Sequence, residues 1–479
     1  MRQRKTHIYK ILFFIGSVLL LIAPAIENGF PLLFSDSGTY LVSGQIDYVP
    51  VDRPIIYGLF VRHISLSWSV WLPVIVQSLI LNFLLLQLFK NFVGARYPYL
   101  LLFLTCLLLS FTTGVDFYCG QISADIFSGI IILTVFLIYF LNNPPFWKIA
   151  FLTLIFGFSL ISHLSHIPLS LALIGIILIV ELLRRRFRKK RFQKLNRIVL
   201  LVATLALSLL TLATVNYSFG AGFKLSRASN IVIGARMIES GIANEYLKRN
   251  CGKPNFNPPY KNLCNYVDKF DQWPAAGFYL HIQDSPLYDG PCNDIDWTTC
   301  WTEKDSSYGV LISDILKEND LRNHFIAMAI SGTLKQLFYF EQPKIDPQQF
   351  SSVFIDYYQY DNYRFETSSQ LKEPLKFIEE NRRQVFIVDL SFLLLMLFFI
   401  LNWRSIDYQT KLLALYFLIA LLANAFICAT FSNVVERYQD RIIFLIPLLL
   451  ILVVLRHINL NIKNYQLSLS DLFKKNSNV

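Results

Sequence analysis

The chain has 479 residues, of which 54% are hydrophobic and only 16% charged, with a net charge of +11 and a mean hydropathy of +0.45. So little charge cannot cover the surface of a soluble protein of this size, which excludes an ordinary globular enzyme. Apolar runs of membrane-spanning length recur along the chain, at residues 9–26, 70–89, 97–111, 122–141, 149–161, 168–183, 198–216, 385–401, 412–430 and 442–455. Backbone groups in lipid must bond internally, so each run is read as a helix. The fold class expected is an all-α polytopic membrane protein of about ten transmembrane helices.

The first run follows a basic start, Met1-Arg2-Gln3-Arg4-Lys5, as a signal peptide would. The Pro-Ala-Ile-Glu-Asn-Gly after it is a poor cleavage site and more runs come later, so an uncleaved anchor is expected. With the N-terminus inside, the alternate loops and the tail hold 22 Lys and Arg, while the short loops on the other side hold only Arg53, Arg62, Arg437 and Arg441. The run Arg184-Arg185-Arg186-Phe187-Arg188-Lys189-Lys190-Arg191 is the strongest pin, read as a stop-transfer anchor near anionic lipid. The positive charge thus speaks to topology and to membrane lipids as partners, and not to a nucleic acid. The location implied is a bacterial inner (cytoplasmic) membrane.

The chain divides into three regions. Residues 1–216 form a membrane module of about seven helices, with an interfacial loop at 28–69. Residues 217–384, rich in Trp, Tyr, Asn, Asp, Pro and Cys, form a mixed extracytoplasmic domain between spans seven and eight. Residues 385–479 add three helices and a cytoplasmic tail. Within the large domain, 321–340 is apolar but broken by Arg322, His324 and Lys335, and reads as an amphipathic helix lying on the membrane. Cys251, Cys264, Cys292 and Cys300 all fall in this domain, an even set in an oxidising compartment. Two disulfides are expected, with Cys251–Cys264 and Cys292–Cys300 the simplest pairing; a zinc site is the rival reading. Cys106 and Cys428 read as apolar filler, and Cys119 has no assigned role.

Polar residues gather in the short outer loops. Phe34-Ser35-Asp36-Ser37-Gly38 puts a carboxylate directly after the first span, where it is either used as a catalytic base or caps a turn. The same loop carries Asp47, Asp52 and Arg53, then Pro54-Ile55-Ile56-Tyr57. Asp116 and Asp125 lie before the fourth span as candidate second acids, although the helix dipole alone explains an acid at Asp125. His163 and His166 are phosphate ligands, an acid or base, or packing residues. Arg437 and Arg441, flanking Tyr438, are placed to bind a phosphate, or else to pair with Glu436, Asp440 or lipid headgroups. Ionisable groups beside hydrocarbon are costly unless employed, so their convergence points to a site.

These features together resemble the GT-C superfamily of membrane glycosyltransferases: an acid after span one, a Pro-aromatic segment before span two and an acid-bearing loop before span four. The large outer loop after span seven and Arg437-Tyr438 before a span containing Pro447 complete the likeness. The Asp-Glu or Asp-Asp pair usual after span one is absent. The resemblance implies a lipid-linked sugar donor, an extracytoplasmic acceptor and Asp36 acting as base, with Asp116 or Asp125 as further catalytic acids. Arg53, Tyr57, His163, His166, Arg437, Tyr438 and Arg441 would bind substrate. The cofactor is left undetermined, with a divalent metal ion as the candidate. The rival classes are another lipid-linked-substrate transferase (an O-antigen ligase, polymerase or acyltransferase) and a transporter or flippase.

Overall fold

The computed structural model describes residues 2–188, 194–272, 275–282, 284–289, 297–347 and 350–476. Among them the secondary structure is helical, with two isolated β-bridges and no strand. Six helices are long and apolar enough to cross a membrane: Trp71–Val93, His166–Phe187, Leu195–Ser218, Ile378–Asn402, Tyr408–Phe431 and Arg437–Ile462. The remaining four predicted runs hold shorter apolar helices, His7–Leu20, Pro98–Thr112, Ile126–Phe140 and Phe146–Ser162.

Seven helices position the polar loops. They are α1 (Ser35–Ser43), α2 (Ile56–Ser65), α3 (Val115–Gly120), α4 (Ile126–Phe140), α5 (His166–Arg188), α6 (Tyr408–Phe431) and α7 (Arg437–Ile443). Every residue of α4 is buried, including Ile130–Leu133 and Phe136 on all its faces. A helix that is hydrophobic all round must be sheathed by others, so α4 is the axis of the bundle. At 1.5 Å per residue its 15 residues span about 22 Å, short of the roughly 30 Å of hydrocarbon. The expected span at 122–141 is therefore cut at its start, where Ile122 and Asp125 belong to the turn before α4.

The 28–69 loop is a structured cap. Helices α1 and α2 cross so closely that a Cβ on Gly44 would stand 2.2 Å from the Gly58 carbonyl oxygen, and one on Gly58 would stand 2.3 Å from Ser43 Oγ. Only glycine permits this approach. Ser37 Oγ accepts from the Phe34 N–H, capping α1, and donates to the Ile122 carbonyl. A parallel bridge between Leu32 and Gln121 ties the same loop to the segment before α4. Gln77, in the span Trp71–Val93, donates to the carbonyls of Cys119 and Gln121 and accepts from Tyr57. A buried amide satisfied on both ends rigidifies the whole cap.

The segment 217–384 contributes to two cores. Residues 228–328 build their own, around Trp301, Tyr279 and Leu311. Phe340, Ile345, Phe354, Tyr358 and Phe365 instead join the core of the membrane module, where Phe354 and Phe365 pack edge-on against Phe30. The segment expected as an amphipathic helix is helical over Asn319–Leu337, without a distinct apolar face, and packs against α6, burying Met328, Ala329, Gly332 and Gln336 while Ile326, Ile330 and Leu334 stay exposed. Cys251 and Cys264 form the expected disulfide. Cys300 is buried, and Cys292 lies outside the described residues. The basic run is described as far as Arg188.

Candidate functional site

The first, second, third and last polar loops meet at one end of the bundle. Asp36 sits in the first turn of α1, where a negative charge meets the helix dipole favourably. Its Oδ1 accepts from Arg53 at 3.0 Å and its Oδ2 from Arg437 at 2.7 Å. Arg53 also donates twice to Asp52 Oδ2, at 2.6 and 3.0 Å, and lies over the Tyr40 ring. Arg437 lies over Phe34 and beside Tyr438. Burial alone would raise the Asp36 pKa, but the Arg437 and Arg53 guanidiniums outweigh it and hold the carboxyl well below the usual carboxylate range. Both Asp36 oxygens are thus committed, and its proton affinity is low.

Below this triad Arg441 donates to Asp125 Oδ1 at 2.6 Å, with side-chain exposures of 0% and 7%. Ser123 occupies Asp125 Oδ2. Arg441 Nη2 donates to Ser165 Oγ, Asn424 Oδ1 and Cys428 Sγ at 3.4–3.6 Å, and Nε has no hydrogen-bond partner among the described residues. The Tyr438 ring stands between the two guanidiniums, 5.3 Å from each.

A cavity of about 210 Å³ opens beside Arg441. Its polar wall includes Asp52, His163, Ser165, Tyr438 and Arg441; its apolar wall includes Pro168, Val232, Ile233, Ile427 and Phe431. His163 Nδ1 accepts from the Ser165 backbone N–H at 3.2 Å, so the imidazole proton is on Nε2. Burial, reinforced by Arg441, lowers the His163 pKa to about 4 and keeps the ring neutral.

Several expectations are corrected by this geometry. Tyr57 is fully buried and its hydroxyl is spent on Gln77, away from the cavity. His166 is also fully buried, its Nδ1 donating to the Ser159 carbonyl and its Nε2 accepting from Ser128, so it packs and does not bind. Asp116 and Asp125 do not share a site: Asp116 lines a separate cavity with Glu27 and Arg383, where burial raises its pKa well above the usual value. Among the described residues no group of three or more His, Cys, Asp or Glu is arranged to hold a metal ion. Asp36 and Asp125 both spend their oxygens on guanidiniums and a hydroxyl, so these two acids do not fit a divalent cation.

Asp52 carries a weaker sequence signal than Asp36 but a better position. Arg53 engages only its Oδ2, and among the described residues it is the one carboxylate on the wall of the Arg441 cavity. Its signal is adjacency to Arg53, which the turn-forming Ser-Asp-Ser-Gly around Asp36 overshadows. No family model, curated protein or solved structure matches the chain.

Proposed function

We propose that this protein is a membrane glycosyltransferase that moves a sugar from a polyprenyl-phosphate carrier to an extracytoplasmic acceptor. The observation that carries this reading is the cavity in which one carboxylate, one neutral imidazole and one buried guanidinium face an apolar wall. An apolar wall suits the first isoprenoid units of a lipid, while the Arg441 guanidinium and the His163 Nε2–H suit its phosphate. Asp52 takes the proton from the acceptor hydroxyl as that oxygen attacks the anomeric carbon. The sugar–phosphate C–O bond breaks with its electron pair staying on the phosphate, where fixed positive charge meets the negative charge that develops. Asp36 acts as a positioning residue, holding Arg53 beside Asp52 and Arg437 beside Tyr438. No step runs through a metal ion.

The test is twofold. Cell-envelope glycans and lipids compared by mass spectrometry with and without the gene should differ by one sugar. The purified protein in lipid nanodiscs should release polyprenyl phosphate from a matching polyprenyl-phosphate sugar. Identical envelopes together with no release from any donor in a hexose and pentose panel would overturn the reading.

A further inference from the structure

The second cavity, of about 360 Å³, lies where the helices His7–Leu20, Pro98–Thr112 and Ile378–Asn402 approach α3. Its charged lining is Glu27, Glu380 and Arg383 beside the buried carboxyl of Asp116, and its apolar lining includes Leu20, Leu107 and Phe111. Among the described residues none of the three carboxylates comes within ion-pair distance of a cation, and Arg383 reaches no carboxylate; this is a mixed set of opposite charges left unjoined. Asp116 is only 8% exposed, and its carboxylate takes just the adjacent Phe117 N–H. Arg383 is fixed over the Phe111 ring at 4.2 Å, and its Nε, sealed from solvent, has no hydrogen-bond partner among the described residues. A buried guanidinium nitrogen without an acceptor is expensive to keep, and a ligand phosphate that supplies one removes the cost.

We propose that this cavity binds the head of an aminophospholipid, its ammonium on Glu27 and Glu380 and its phosphate on Arg383. The net negative balance of the lining favours a cationic end over a second anion. Leu107 and Phe111 are exposed at the mouth, so the acyl chains leave along a surface that is already apolar. An ammonium carrying N–H donors hydrogen-bonds the carboxylates, whereas a quaternary choline does not. The site stands independently of the sugar-transfer reading, since no residue is shared between the two cavities.

Native mass spectrometry of the full-length protein with equimolar phosphatidylethanolamine, phosphatidylcholine and phosphatidylglycerol tests this. Phosphatidylethanolamine adducts should exceed each of the others by about threefold, the worth of one partly exposed ion pair. The Glu27→Gln, Glu380→Gln double variant should bind phosphatidylethanolamine and phosphatidylglycerol equally, and Arg383→Ala should lower adducts of all three lipids. Equimolar glycerophosphoethanolamine, the same head without acyl chains, should not displace the lipid. Equal wild-type adducts of the three lipids overturn the proposal, whether or not any variant folds. An unchanged preference in a well-folded double variant, or displacement by the soluble head, overturns it too.

Discussion

The two cavities hold similar charges in opposite states. Around the first, Asp36, Asp52 and Asp125 are each matched to a guanidinium at 3.0 Å or less. Around the second, Glu27, Glu380 and Arg383 stand apart. Paired charges hold one another in place and orient neighbours without a ligand, as pre-organised catalysis requires. Unpaired charges beside an apolar surface are a binding potential that a ligand satisfies. The lesson concerns Asp36 in particular: the acid best placed by sequence is the one the fold clamps hardest.

The sharpest way to break this contrast is at Asp52. Asp52→Asn keeps size and removes proton affinity, and should cut polyprenyl-phosphate release by roughly 10²–10⁴-fold, with only the small loss of thermal stability that weakening its pair with Arg53 brings. Near-normal turnover in a folded variant removes Asp52 from the chemistry.

Asp125→Ala should come next, because it strands Arg441 without a counter-ion in a site of 0% exposure. Leaving one buried charge unpaired costs about 3–5 kcal/mol, so the melting temperature should fall steeply even in the absence of donor. Tyr57→Phe removes only the buried hydroxyl on Gln77, and should lower stability by about 1 kcal/mol while leaving transfer intact. A specific loss of transfer in that variant would return Tyr57 to the substrate site.

His163 supplies the pH dependence. Its folded pKa, about 4, lies below the 6.5 of the ordinary side chain, so the unfolded chain binds the proton more readily. The His163 contribution to stability should be fully present above pH 6.5, decline as pH falls toward 4, and change no further below it. His163→Gln should flatten that part of the profile. The smallest effect is expected at Glu27, where Glu27→Gln breaks no ion pair among the described residues and should shift stability by no more than about 0.5 kcal/mol.

Part of the architecture is legible in the chain itself. Each of the ten apolar runs contains a helix, because length and hydropathy fix where backbone can meet lipid. Cys251 and Cys264 are near enough in sequence to pair across a short loop. The interruption of 122–141 at Asp125 is not legible, since a run of apolar letters reads alike whether it faces lipid or other helices. His163 and His166 look equivalent from their spacing, and only the neighbours Ser128 and Ser159 take His166 out of the site.

What the sequence determined by itself was the inventory: apolar helices, six of them long enough to cross a membrane, a polar set of loops and the acids and arginines within them. What only the tertiary structure decided was who meets whom. Asp36 and Arg437 lie 401 residues apart, and Asp125 and Arg441 lie 316 apart, yet each pair closes to 2.7 Å or less. Local sequence sets the conformation of a turn or a helix through near-neighbour sterics and hydrogen bonds. The protonation and availability of a carboxylate depend instead on the charge placed beside it and the water removed from it, and both are supplied by distant helices.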